Sequence, residues 1–239
     1  MVAVSGEKAD GATGTAPGAH DTRARLIDVA ERLFAELGIE SVSLRIVGIE
    51  AGQRNNSAAQ YHFGSKAGLI AAIIAARSAA VDGRRAELVA ALRSADRRPG
   101  PADLVALLVL PLVETIDATS ERTWYLRFLA NAMDHPMLDA PWRPGRSRPP
   151  GAPDPPDPPG LRYLRRELKR LLPDLPDAEF ERRMRWTSMT TFRVLADYER
   201  QRSTTAGAPP SRQVVSDLTR MLVALLTAPY PAPGPSSGG

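Results

Sequence analysis

The chain has 239 residues, 43% of them hydrophobic, and a net charge of +4, which fits one or two globular domains able to bury a core without staples. It contains no cysteine, and this excludes disulfides, thiolate metal sites, Fe–S clusters and thiol catalysis. Its longest uncharged apolar runs, 67–76 and 104–113, fall well short of the ~18 residues of a membrane span; with no signal-peptide pattern at the start, a cytoplasmic protein is expected.

Residues 1–20 are small and polar and read as a disordered tail. The first helix is predicted over 23–37, where Leu26, Ile27, Ala30, Leu33, Phe34 and Leu37 recur on one face. Asp21 or Thr22 can cap its start, and Gly38 suits the residue after its end. Ser43 then caps a short helix over 44–50, and a second short helix covers 55–61. Gly64 stops that one, and Ser65 caps a long helix over 66–95. Further helices are expected at 101–118, kinked by Pro111, and at 121–133, 160–172, 177–202 and 210–228. The ten prolines within 136–160 exclude helix and sheet and leave a long loop, and 229–239 reads as a second disordered tail. No stretch alternates as a strand does.

Bulk charge does not argue for nucleic acid. Residues 21–70 carry six basic and six acidic side chains, and the excess lies in 136–202, with 14 basic against 10 acidic. The argument rests on the segment 43–63, two short helices around the Gly-containing turn 51–54, which is helix-turn-helix spacing. A helix entering the major groove must be slim at its leading end and carry donors. Asn55, Asn56, Ser57, Ala59 and Gln60 meet both demands, after Arg54 in the turn. Asn and Gln can pair with adenine, Ser with several base edges, and Ala with a thymine methyl. The plainer reading is that Asn-Asn-Ser caps a short helix. The next residues favour DNA. Lys66 lies in a first helical turn, where the macrodipole disfavours a cation unless a phosphate is shared, and Tyr61 and His62 can donate to neighbouring phosphates.

TRARLIDVAERLFAELG, SVSLRIVGIEAG and QYHFGSKAGL within 22–70 resemble the DNA-binding domain of TetR-type (tetracycline repressor-like) transcriptional regulators. The resemblance implies a homodimeric repressor on a two-fold symmetric double-stranded operator, released by a small-molecule effector. It places Ser43 and Arg45 near the DNA backbone, Asn56, Ser57, Ala59 and Gln60 in the recognition helix, and Tyr61, His62 and Lys66 among the phosphate contacts. Three departures stand out. The turn 53–56 is one residue longer than the family pattern, Ile46 and Ile49 replace polar residues, and Gly68 replaces an acidic one, which should weaken its helix by up to ~1 kcal/mol.

The expected fold is therefore all-α: an N-terminal three-helix helix-turn-helix domain over 21–66, joined by a long helix to a helical ligand-binding and dimerisation domain over 67–228. Pro111, Trp124, Arg127, Phe128, Met189 and Phe192 are candidate pocket walls, with core packing as the bland alternative for each. Met184, Thr191, Leu195, Tyr198, Leu218, Leu222 and Leu225 are candidate dimer-seam residues, again with core as the alternative. No catalytic or metal-ligating constellation stands out, because His20, His62 and His135 are far apart and Asp134-His135 has no nucleophile beside it. No cofactor is expected. The PxxP spacings within 136–160 allow a docking role but read mainly as linker, and the basic run Arg162, Arg165, Arg166, Lys169, Arg170 reads as a solvated helix face.

Overall fold

A computed structural model of the chain describes residues 17–53, 55, 57–118, 122–133, 158–204 and 207–230. Among these residues there are nine helices and no strand: α1 (Pro17–Leu37), α2 (Leu44–Glu50), α3 (Ala58–Phe63), α4 (Lys66–Ser94), α5 (Pro101–Asp117), α6 (Tyr125–Ala132), α7 (Pro159–Leu171), α8 (Asp177–Thr204) and α9 (Ser211–Thr227). The all-α class is as expected.

The local punctuation follows the sequence closely. Ser43 Oγ accepts from Ile46 N at 3.2 Å and caps α2, and Ser65 Oγ accepts from Gly68 N at 3.0 Å and caps α4. Gly38 and Gly64 close α1 and α3 with φ of 80° and 70°, the left-handed region where a Cβ is costly.

Four details differ from the sequence reading. α1 begins at Pro17, inside the stretch read as a tail, so Asp21 and Thr22 lie within the helix and do not cap it. Leu37, the last residue of α1, is exposed and lies beyond the core that Leu26, Ala30 and Phe34 fill. α3 starts at Ala58, three residues later than expected, since Asn55 forms a turn of its own. Gly68 is no defect: a Cβ there would lie 2.1 Å from the Phe63 carbonyl oxygen, so the close approach of α3 to α4 requires glycine. Residues 1–16, Asp134-His135, most of the Pro-rich segment and the end from 231 lie outside the described residues.

The first three helices enclose a small core of Leu26, Phe34, Val42, Val47 and Ala59. α4 leaves this head and packs on α5 and α7 in the C-terminal bundle, where α5 lies against α9, and α8 lies against α6 and α9. Pro111 sits inside α5 and has no N–H to offer the Leu107 carbonyl. The buried Arg85 of α4 supplies the missing donor, Nε to Leu107 O at 3.0 Å, and also pairs with Asp82. Its stem lies against Gly160 of α7, where a Cβ would meet Arg85 Cγ and Cδ at 2.8 Å. One side chain thus joins α4, α5 and α7.

α6 joins the head to the bundle. At its N-terminus Trp124 holds the cap position without a capping oxygen. Glu199 of α8 takes over, accepting from the amides of Leu126 at 3.3 Å and Arg127 at 3.0 Å, and from Arg127 Nε at 3.1 Å. At its C-terminal end Asn131 Nδ2 donates to Phe34 O at 2.9 Å and Ala35 O at 3.3 Å, in the last turn of α1. Phe34 and Phe128 stack between the two helices, centroids 6.2 Å apart.

Candidate nucleic-acid interface

The helix-turn-helix is α2, the turn at Ala51–Gly52, and α3. The turn is tight because Gly52 adopts φ of 70° and Gln53 N returns to Gly48 O at 3.0 Å. At the leading end of α3, Asn55 Oδ1 accepts from Ser57 N at 2.9 Å, and Asn55 O accepts from Ala58 N at 3.0 Å. Asn55 therefore builds the turn that starts the helix, which is the plainer reading of this residue.

Exposure sorts the remaining candidates. Ser57 and Gln60 are exposed, Tyr61 is 87% exposed, and His62 is half-buried with its ring edge-on to Tyr61 at 5.4 Å. Ala59 is fully buried. In a six-residue helix it is the inward side chain that holds α3 on the core, which takes it off the exposed face. Gln60 Nε2 donates to Gly64 O at the end of its own helix. Arg54 and Asn56 lie outside the described residues.

On α2, Ser43 serves as the cap while remaining exposed, and Arg45 is exposed. Ile46 and Ile49, the apolar departures, both face outward, so α2 carries an apolar surface strip. Lys66 Nζ donates to Ile39 O at 2.9 Å and Glu40 O at 3.5 Å. The ammonium thus meets the carbonyls of the α1–α2 connection, which offsets its unfavourable place in the first turn of α4. This partner was invisible in sequence, being 26 to 27 residues away.

Charge also fixes the head to α4. Arg77 Nε meets Glu31 Oε2 at 2.6 Å, and its Nη2 meets Asp28 Oδ1 at 2.7 Å. Burial raises the Glu31 carboxyl above the ordinary glutamate range in spite of Arg77 beside it.

Residues 158–228 match the model of the tetracyclin repressor-like C-terminal domain, behind a helix-turn-helix head. The C-terminal part of the chain is thus similar to that of TetR-type transcriptional regulators. Among solved structures, the TetR-family regulator of Streptomyces coelicolor A3 is 18% identical, with 90% of this chain and 99% of that chain covered and a TM-score of 0.39. A TetR-family transcriptional regulator of Pectobacterium atrosepticum is 20% identical, with 91% and 100% covered and a TM-score of 0.37. GusR of Salmonella enterica is 19% identical, with 89% and 97% covered and a TM-score of 0.35. No curated protein matches the chain.

The candidate pocket residues are dispersed by burial. Pro111 and Phe128 are core, while Trp124, Met189 and Phe192 are half-buried. Arg127 is buried, paired with Glu199, bonded by Nη2 to Thr123 O at 2.6 Å, and stacked 4.0 Å from the Trp124 ring centroid. An open cleft of about 490 Å³ lies elsewhere, between the α7–α8 turn and the end of α9, lined by Leu172, Leu175, Pro176, Arg183 and Tyr230.

The candidate seam residues also differ in burial. Thr191, Leu195, Tyr198, Leu218 and Leu222 are buried within the single chain, where α8 and α9 pack on each other, on α5 and on α6, which is the core alternative for each of them. Met184 and Leu225 are half-buried, and the large apolar side chains these helices leave exposed are Trp186 and Met221. The basic run on α7 is largely neutralised, Arg165 by Glu181, Arg166 and Arg170 by Glu167, and Lys169 by Asp177. No helix among the described residues is long and apolar enough to cross a membrane.

Proposed function

We propose that this protein is a homodimeric repressor that reads a two-fold symmetric operator and leaves it when a small molecule binds the C-terminal domain. The observation that carries the reading is the head: Ser57, Gln60 and Tyr61 are exposed together on a slim helix whose inner face is held by Ala59 and Phe63. In this reading Ser57, Gln60 and Asn56 meet base edges. Tyr61, His62 and Lys66 hold the phosphates on one side, and Ser43 and Arg45 hold them from α2. Two of the three ammonium donors of Lys66 go to carbonyls, which leaves one for a phosphate.

Dimerisation uses the outward faces of α8 and α9 around Trp186 and Met221 and sets the two heads one helical turn, about 34–36 Å, or a multiple of it apart. An effector enters the α6–α8 layer beside Trp124, Met189 and Phe192. An anionic effector would compete with Glu199 for Arg127.

Selection of bound duplexes from a random pool tests the reading. The expected product is a two-fold symmetric consensus, and apolar or anionic effector candidates should lower affinity for it by about 5–150-fold, the range of ordinary allosteric coupling. Absence of any preferred duplex at low ionic strength would overturn it.

A further inference from the structure

We infer that Asn131 is a positioning residue for DNA recognition: by capping the last turn of α1 it sets the angle of the head on the bundle, and with it the half-site spacing the dimer accepts. The inference rests on the dimeric, DNA-reading function proposed above. It begins from how the head is attached. One attachment is α4, continuous in chain from the head and clamped to α1 by Arg77 with Glu31 and Asp28. A single helical stalk fixes a position but leaves rotation about the contact. The second attachment removes that freedom, and it is α6.

α6 has only eight residues, yet both ends are tied by side chains from distant or facing elements. Glu199 of α8 holds its first amides. Asn131, near its last turn, reaches the carbonyls of Phe34 and Ala35, 97 and 96 residues away. Both partners are acceptors, so the amide nitrogen must face them. α1 ends two residues past Ala35, whose carbonyl lies beyond the helix's own donors, and the Phe34 carbonyl, which also accepts from Gly38 N at 3.2 Å, keeps a second lone pair, so both accept the amide at little cost. The Phe34–Phe128 stack supplies the packing beneath; it is apolar and tolerates sliding, whereas two directed bonds to one turn do not. α6 is therefore a short strut from α8 to the C-terminal end of α1, and Asn131 is its contact with the head.

The consequence falls on spacing, not on the reading of either half-site. A base pair displaces the next half-site by about 3.4 Å and a tenth of a turn. A head held at one angle accepts one spacing, and a head free to swing accepts several. Asn131→Ala removes the two bonds and leaves the Phe stack and Glu199 in place. The full-length protein is titrated with three duplexes built on its selected consensus: native spacing, half-sites moved apart by one base pair, and a single half-site, with thermal unfolding in parallel. Wild type should favour native over altered spacing strongly. Asn131→Ala should reduce that preference by about fivefold or more while single-half-site affinity stays within twofold. Asn131→Asp, which presents an acceptor to carbonyls, should behave at least as severely. Unchanged spacing preference in both variants overturns the inference, as does parallel loss of half-site binding, which marks a merely structural role. Failure of wild type to bind any of the three duplexes instead overturns the DNA-reading function, and this inference with it.

Discussion

Arg85 donates to the Leu107 carbonyl that Pro111 leaves without its helical partner, Nε to O at 3.0 Å. A proline within a packed helix ordinarily costs a hydrogen bond, and here a buried arginine from the neighbouring helix restores it. Arg85→Met should therefore destabilise the protein by about 1–3 kcal/mol. In a Pro111→Ala background residue 111 regains its N–H, and the same substitution should cost measurably less. Urea unfolding of the four proteins checks this, and strictly additive effects would contradict the repair.

Gly68→Ala should destabilise the head although alanine is the better helix former. The propensity gain of about 1 kcal/mol meets a Cβ placed 2.1 Å from the Phe63 carbonyl oxygen, and backbone must move to admit it. A net loss of about 1–3 kcal/mol is expected, read as a lower Tm for the full chain. Gly83→Ala, at a helical position with nothing within 4 Å of the added Cβ, is the control and should be neutral or stabilising.

Two carboxyls should give pH effects of opposite sign. Burial raises Glu31 above its ordinary value of 4.5, so the folded state binds the proton more tightly than the unfolded one. Relative to Glu31→Gln, wild type should be most stable below pH 4.5 and lose stability as pH rises through the raised value. The Arg97 guanidinium beside Asp103, at 2.6 and 2.7 Å, lowers that carboxyl below 3.8. Its stabilisation is present above pH 3.8 and should fade on acidification through the lowered value. Unfolding of wild type, Glu31→Gln and Asp103→Asn between pH 3 and 8 separates the two.

DNA contacts should divide into two classes. Lys66→Ala should weaken binding to all duplexes alike and reduce the salt dependence by about one unit of slope. Because Lys66 also holds the Ile39 carbonyl, it should lower the stability of the head as well. Gln60→Ala should instead relax preference at particular base pairs, at about 1–3 kcal/mol for a bidentate contact. Competition binding against substituted operators distinguishes them, and identical profiles would refute the assignment.

Self-association should depend on the outward faces of α8 and α9. Met221→Glu and Trp186→Ala should each shift sedimentation toward monomer, while thermal stability at monomeric concentration stays near wild type, since both side chains are exposed in the single chain. A dimer unaffected by both would place the seam elsewhere.

What was legible in sequence was local. Ser43, Ser65, Gly38 and Gly64 act within three or four residues of where they stand, and each marks the helix end its type suggests. The long-range partners were not legible. Nothing near Glu199 or Asn131 announces a partner more than seventy residues away, although Trp124 at a cap position hints that some other oxygen must serve α6. Core and seam were also indistinguishable, because a broad apolar stripe on α8 or α9 looks the same whichever layer covers it. The Gly68 reading erred for a related reason: propensity measures a lone helix, and the decisive neighbour, the Phe63 carbonyl, belongs to another.

All described residues with positive φ are glycines, Gly38, Gly52 and Gly64, and all lie in the first 64 residues. The corners of the head are thus geometrically locked, while the described part of the bundle turns its corners in conformations open to any side chain. Diversifying the bundle to recognise new chemicals should therefore leave the reading unit's shape intact, which makes the C-terminal half the natural place to engineer a new sensor.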